Sequence, residues 1–235
     1  MGAHNNRVSD NGNSVTRAIA SRRSARAFLP RPLARETIEE ILELAARAPS
    51  GGNLQPWRVD VVAGNPLADL RARALAAFAA APLGEGMELK VYPAPLGEPW
   101  RSRRHASGEA LYAAIGIPRE DRPARLAQFA RNFDGFGAPA ILFFSLARIF
   151  DRPQWAHLGM FMQNIMLLAA ERGLATCPQE AWAAVHLLVR DFLDLPESHI
   201  FYCGIALGHA DPDHPINGFE TDRAPVEAFA HFRGF

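Results

Sequence analysis

The sequence predicts an α+β fold in which helices and a few apolar strands are mixed. Amphipathic helical patterns recur along the chain, whereas only a few short apolar runs are typical of strands. These runs do not follow the regular strand–helix alternation of a doubly wound sheet. Neither a G-x-G-x-x-G turn after a first strand nor a G-x-x-x-x-G-K-[ST] loop occurs. With 235 residues, of which 49% are hydrophobic, the chain is long enough to bury a substantial core.

The first third of the chain predicts two helices, a strand and a third helix. Ile38, Ile41, Leu42 and Ala45 recur at helical spacing, and Pro49 is expected to end that helix. The run WRVDVVA has the β-branched character of a strand. The predicted elements are helices over 15–21, from about 36 to Pro49, and 65–80, and a strand over 57–63.

The remaining chain predicts a proline- and glycine-rich excursion followed by the most apolar segments. The runs APAILFFSL and IFYCGIALG predict buried strands, and Gly173 is expected to stop the clearest helix. The predicted elements are helices over 101–114, 119–130, 154–172 and 183–192, and strands over 138–146 and 200–208. Residues 211–235 predict a loop-rich tail.

Charge and composition exclude several classes of partner. Twenty-five basic residues balance 25 acidic residues, so no electrostatic excess favours nucleic acid or an anionic membrane. No apolar run has the length of a membrane span, and residues 1–13 predict a flexible polar tail without a secretory signal. The two cysteines are too few for a disulfide framework, and no clustered ligand set predicts a metal. We therefore expect a cytoplasmic protein.

The stretch RRSARAF concentrates three arginines and a serine near the start of the chain. In extended backbone Arg22, Ser24 and Arg26 would project to one side and converge on one anion. The planar guanidinium makes paired, charge-assisted hydrogen bonds to phosphate. A solvated helix end with ordinary ion pairs is the alternative interpretation of this stretch.

Two further stretches carry polar groups next to predicted elements. The loop PSGGNLQPW combines two glycines with hydroxyl and amide side chains, which suits a flat heterocycle or simply a turn. The stretch CPQEAW follows the strongest helix. A nucleophilic role for Cys177 requires an activating partner, and no histidine is near it in sequence, so packing is the favoured role.

These three stretches, together with TDRAP near the C-terminus, resemble the FMN-dependent nitroreductase family in order and spacing. The similarity extends from about Val15 to the end of the chain, and NFDGFGAP, CPQEAW and GIALGHADP are most similar to the branch that contains nitrobenzoate reductases. The resemblance implies a central, mostly antiparallel sheet flanked by helices. It also implies an intertwined homodimer with exchanged C-terminal tails, and one FMN-binding domain over 14–235 whose excursion at 82–131 covers the active site.

The resemblance implies a role for each matching residue. Arg22, Ser24 and Arg223 would bind the FMN phosphate, with Arg23 at the ribityl chain, and Arg26 and Glu180 would tune the ring. The remaining implied contacts are Asn132, Pro178 and Gln179 in the same subunit, and Pro49, Ser50, Gly51, Asn53 and Gln55 from the partner subunit. Thr221 stands where many members carry a lysine.

The implied activity is transfer of two electrons from NADH or NADPH, by a ping-pong mechanism, to nitroaromatic or quinone-type acceptors. A fixed guanidinium at the pyrimidine edge would stabilise the reduced flavin, so no acid–base pair or triad is required. Arg104 and Tyr112, within the excursion, are candidate substrate contacts, although a basic helix facing solvent is the alternative. Reductive dehalogenation, oxygen-dependent flavin chemistry, a non-catalytic flavin-binding protein and a flavin-free anion-binding protein remain open.

Overall fold

The structure is a computed structural model that describes residues 14–82, 84 and 86–235. The tail predicted over residues 1–13 lies outside the described residues. In chain order the helices and strands are α1 (Ser14–Ser21), α2 (Arg35–Ala45), β1 (Trp57–Ala63), α3 (Gly64–Ala80), α4 (Trp100–Ala114), α5 (Arg122–Ala130), β2 (Ala140–Ala147), α6 (Arg152–Glu171), β3 (Ala175–Gln179), α7 (His186–Phe192) and β4 (His199–Gly208).

The four strands form one antiparallel sheet in the order β1-β2-β4-β3. The apolar runs predicted as strands are its two central members, β2 and β4. Strand β3 was not predicted; its residues ATCPQ were expected to connect two helices. The predicted α+β class is confirmed.

Helices cover both faces of the sheet, which explains why β2 is apolar at nearly every position. Leu142, Phe144 and Leu146 pack with α2 and α6, whereas Ile141 and Phe143 pack with α3 and α7. This division follows from the two-residue period of a strand. The two apolar clusters therefore hold the sheet rigidly between layers of helices.

Three helices differ from the prediction in where they begin or end. Helix α2 ends at Ala45 rather than at Pro49. Helix α5 begins at Arg122 because the Asp121 side chain accepts a hydrogen bond from Ala124 N at 3.0 Å. The helix predicted over 183–192 is divided into a 3₁₀ turn, Glu180–Val185, and α7.

The excursion is exposed or half-buried throughout its two helices. Helices α4 and α5 contain no fully buried residue. They are joined by Arg125, whose guanidinium donates to both carboxylate oxygens of Glu109 at 2.7 and 2.8 Å. Within residues 14–82, 84 and 86–235, no helix is both long and apolar enough to cross a membrane.

Candidate flavin site

The arginine stretch is extended and lies along the outer edge of β3. Ala25 N donates to Thr176 O at 3.0 Å, and Ser24 and Phe28 form isolated bridges with Thr176 and Ala210. The stretch therefore pairs with the sheet at Ser24 and Phe28, as an extended segment does, but its backbone bends at Arg26. Because the stretch is fixed by the sheet, its side chains project from a rigid support.

Asn217 fastens the same stretch from the C-terminal side of the chain. Its Oδ1 accepts a hydrogen bond from Arg26 N at 2.8 Å, and its Nδ2 donates to Ala27 O and Asp211 O, both at 2.8 Å. One side chain thus satisfies three backbone groups and sets the position of Arg26. No sequence pattern indicates this role, because Asn217 is 191 positions from Arg26 and belongs to no recognised motif.

A cationic cavity of about 230 Å³ lies beside the stretch. It is lined by Ala20, Arg22, Arg23, Ser24, Arg26, Phe219, Glu220, Thr221 and Arg223. The four predicted phosphate and ring ligands from the N-terminal stretch therefore meet the late arginine in one place. Such a concentration of guanidinium groups fits a phosphate or a similar anion.

Two of the arginines in this cavity are already engaged by neighbouring residues. Arg23 forms an ion pair with Glu220, a carboxylate that the sequence analysis did not single out. Arg223 is held by its own turn, since it donates to Thr221 Oγ1 at 2.7 Å and to Thr221 O and Asp222 O at 3.0 and 2.9 Å. Thr221, which stands in place of the lysine, therefore orients Arg223 instead of supplying a charge.

A second, more aromatic cavity of about 400 Å³ shares Arg26 with the first. Its other lining residues are Tyr92, Arg104, Ser107, Gly108, Leu111, Tyr112, Gln128, Phe129, Asn132 and Phe136. Both candidate substrate residues and Asn132 are therefore brought together. Arg26 lies between a cationic compartment and an aromatic one.

The stretch CPQEAW divides its side chains between the core and the surface. Pro178 is exposed, whereas Gln179 is buried, and its Nε2 donates to Asn132 O at 2.8 Å. Gln179 Oε1 accepts a hydrogen bond from Trp182 Nε1 at 3.4 Å. The Gln179 amide is therefore engaged within the protein, and neither Pro178 nor Gln179 lines the cationic or the aromatic cavity.

Glu180 follows β3 directly and is held by a tyrosine that the sequence analysis missed. Tyr202 Oη donates to Glu180 Oε1 at 2.9 Å, and Trp155 packs edge-on against the Tyr202 ring at 5.3 Å between centroids. Burial, followed by the nearby Cys203 and Glu180, raises the pKa of Tyr202. The phenol therefore stays protonated in the neutral range and donates throughout it.

The loop predicted to serve a partner subunit lies away from both cavities. Pro49, Ser50, Gly51, Asn53 and Gln55 are exposed or half-buried, and none of them lines the cationic or the aromatic cavity. Asn53 and Gln55 have φ values of 54° and 47°, which are uncommon for residues other than glycine. Ser50 Oγ supports this conformation by accepting from Gln55 N at 3.0 Å.

Both cysteines are buried. Burial raises the pKa of the Cys177 thiol to about 11, although the charges of Arg26 and Arg22 oppose the shift. Burial also raises the pKa of Cys203. The packing role expected for Cys177 agrees with this environment. In the described part of the chain no group of three or more His, Cys, Asp or Glu side chains is arranged to hold a metal.

The protein is thus of the α+β class, with an antiparallel sheet between helices, an arginine stretch fixed to the sheet edge and two cavities that share Arg26. The chain belongs to the nitroreductase family, whose model matches residues 19–209. The predicted family is confirmed.

Individual relatives are similar in sequence to this chain over nearly its whole length. The chain is 38% identical to 4-nitrobenzoate reductase of Pseudomonas putida over 92% of this chain and 94% of that protein. It is 37% identical to nitrobenzene nitroreductase of Ectopseudomonas oleovorans over 91% and 94% of the two chains. The crystal structure of the FMN and NADPH-dependent nitroreductase NfnB from Sphigopyxis sp. strain HMH superimposes with a TM-score of 0.91 at 45% identity, covering 94% of this chain and 99% of that one.

Proposed function

We propose that this protein is an FMN-dependent oxidoreductase that passes two electrons from NADH or NADPH to nitroaromatic or quinone-type acceptors by a ping-pong mechanism. The observation that carries the proposal is the position of Arg26, which lines both the cationic and the aromatic cavity. One cavity suits a phosphate and the other a flat ring. The relatives named for nitroreduction support the same reaction.

The residues of the cationic cavity fit the phosphate of FMN. Arg22, Ser24 and Arg223 would hold it, because two guanidinium groups and a hydroxyl line the same space. Arg23, already paired with Glu220, would contribute at the ribityl chain. Charge-assisted hydrogen bonds of this kind contribute about 1.5–3 kcal/mol each.

The residues around Arg26 would hold the flavin ring and set its field. Bound FMN supplies the redox chemistry, accepting two electrons from the nicotinamide and giving them to the acceptor. The positive charge of Arg26 would stabilise the negative charge that reduction places at the pyrimidine edge. Asn217 fixes the Arg26 backbone and would thereby hold this charge in place. Asn132 would hold the ring, and the turn at Pro178, Gln179 and Glu180 would cover it through its backbone, with the Glu180 carboxylate oriented by Tyr202.

The working unit of this proposal is a homodimer with exchanged C-terminal tails. Val15 and Ile19 of α1 are 57% and 56% exposed, and Phe229 and Phe232 of the tail are 68% and 70% exposed. Strand β1 lies at an edge of the sheet, beside an apolar groove that Leu33, Leu42 and Val61 help to line. A second copy would cover these surfaces and bring its loop at 49–55 to the flavin.

The spectrum of the purified protein tests this proposal. We expect yellow protein with bound FMN, bleached without oxygen by NADPH or NADH, and recoloured by one equivalent of a nitroarene or quinone oxidant. Colourless protein that does not take up added FMN would reject the proposal and favour an anion-binding protein. Flavin that binds but is not reduced by either nucleotide would favour a non-catalytic flavin-binding protein.

Acceptor tests separate the remaining reactions of the same family. Release of halide from a haloarene would show that the activity is reductive dehalogenation. Destruction of the flavin in the presence of oxygen would show oxygen-dependent flavin chemistry instead of nitroreduction. Sedimentation of the yellow protein tests the dimer, since a flavin-loaded monomer would contradict a site completed by the partner.

A further inference from the structure

We propose that Arg104 is the carboxylate-binding residue of the aromatic cavity, and that the preferred acceptors are therefore aromatic carboxylic acids. This inference rests on the proposed function, since it names the substrate class of that site. The cavity combines aromatic walls, among them Tyr92, Tyr112 and Phe129, with two guanidinium groups, those of Arg26 and Arg104. None of the described residues that line it is acidic. The cavity therefore suits a flat molecule that carries a negative charge.

Three arginines on helix α4 compete for this role, and their contacts distinguish them. The Arg101 guanidinium is paired with Glu98 at 2.7 Å. Arg103 does not line the cavity. Arg104 lines it, and no carboxylate of the described residues lies within ion-pair distance of its guanidinium. Arg104 is thus the arginine of this helix whose charge is available to a ligand in the cavity.

The guanidinium group of Arg104 lies over a tyrosine ring. The Arg104 guanidinium carbon lies 4.2 Å from the centroid of the Tyr92 ring. Stacking on an aromatic face uses the flat side of the guanidinium and leaves the N–H groups at its edge free to donate. A carboxylate accepts two such donors at once, which adds direction to the attraction of opposite charges.

The neighbouring arginine, Arg125, supports the cavity without adding free charge. It is neutralised by Glu109 and lies over the Tyr112 ring at 4.3 Å. Because Arg125 is paired with Glu109 and Arg26 is assigned to the cofactor, Arg104 would be the residue that pairs with the negative charge of an acceptor. The opposite, electron-poor end of an aromatic acid would then be directed toward Arg26 and the ring that Arg26 tunes.

Binding of unreactive ligands to the oxidised holoprotein tests this inference directly. Benzoate and its neutral analogue benzamide are titrated while the flavin absorption spectrum is recorded. We expect benzoate to bind the wild type about 10- to 100-fold more tightly than benzamide. Arg104→Met should remove this preference and Arg104→Lys should retain part of it, whereas Arg103→Met, a matched loss of charge on the same helix, should leave it unchanged.

Steady-state kinetics with 4-nitrobenzoate and nitrobenzene complete the test. Arg104→Met should raise KM for 4-nitrobenzoate by about 10-fold or more while leaving kcat and the reaction with nitrobenzene within about twofold of the wild type. Equal losses for both acceptors, or equal affinity of the wild type for benzoate and benzamide, would overturn the inference while leaving nitroreduction intact. A flavin-loaded wild type that reduces neither acceptor would instead reject the proposed function.

Discussion

Tyr202 Oη donates a hydrogen bond to Glu180 Oε1 at 2.9 Å and thereby fixes the first residue after β3. The two residues come from neighbouring strands of the sheet, β3 ending at Gln179 and β4 containing Tyr202. The contact is local in space but separated by 22 positions in the chain. It orients a carboxylate that the proposed function places beside the flavin ring.

Replacing Tyr202 by Phe should remove this hydrogen bond while keeping the ring against Trp155. A hydrogen bond to a charged group contributes about 1.5–3 kcal/mol, and half-burial reduces the effect, so we expect the free energy of unfolding to fall by about 1 kcal/mol. Urea denaturation at constant protein concentration measures it. In a double-mutant cycle with Glu180→Gln the two changes should be coupled; additivity within about 0.3–0.5 kcal/mol would show that the contact contributes nothing.

Arg22→Ala and Arg26→Ala should have different effects on the cofactor. Arg22 lines only the cationic cavity of the two joined cavities, so its loss should weaken FMN binding about 10- to 100-fold with little change in the reduction potential. Arg26 lines both, and its loss should also lower the two-electron potential by about 30–60 mV. Fluorescence titration and dye-linked reduction measure the two quantities. Equal potentials in both variants would contradict the division of roles.

Glu220→Gln should strengthen FMN binding. Glu220 places a carboxylate among the arginines of the cationic cavity and pairs with Arg23, so it opposes a phosphate and occupies one of the cations. Removing the charge frees Arg23, and we expect affinity to rise about threefold to tenfold at low salt, with a smaller gain at high salt. Glu227→Gln, outside that cavity on the same tail, is the matched control. Weaker binding would show that the ion pair orients Arg23 productively.

Most of the helices and three of the four strands were predicted, because they follow from local sequence patterns. Five residues of the cationic cavity, Arg22, Arg23, Ser24, Arg26 and Arg223, were predicted from the resemblance to the family. Strand β3 escaped prediction since its run ATCPQ contains Pro178 and polar residues; it is an edge strand whose pairing comes from β4 and from the backbone near Ser24. Such pairing is a property of the folded sheet and leaves little trace in five residues.

The partners of the site residues could not be predicted from the sequence, because their contacts also form only in the folded protein. Asn217, Glu220 and Tyr202 are ordinary polar residues whose roles arise only when the tail and β4 fold against the arginine stretch and β3. The arginine pattern indicated what the site holds. Only the fold reveals which neighbours fix or neutralise each arginine.

Both cysteines should resist alkylation in the native protein. With a pKa of about 11, Cys177 has a thiolate fraction near one in a thousand at pH 8, against about a quarter for an exposed thiol. Because the folded pKa is raised, deprotonation becomes significant only as the pH approaches that value. Mass spectrometry after iodoacetamide treatment at pH 8 should show no adduct, and two adducts after unfolding in urea. Rapid modification of native Cys177 would contradict this prediction and support a role as a nucleophile.

Asn217→Ala should affect the flavin site although Asn217 carries no charge and no predicted contact with the cofactor. Its three hydrogen bonds hold the backbone of Arg26, Ala27 and Asp211, so the variant leaves those backbone groups without their partner and releases the stretch that carries Arg26. We expect a loss of about 1–3 kcal/mol in the free energy of unfolding and weaker FMN binding, measured by urea denaturation and fluorescence titration.

Asn217→Asp keeps the acceptor for Arg26 N but loses both donors, and it adds a negative charge near the cationic cavity. It should therefore impair FMN binding at least as strongly as Asn217→Ala at low salt, and the difference should shrink as salt screens the added charge. Unchanged FMN affinity in both variants would mean that Arg26 is positioned without Asn217.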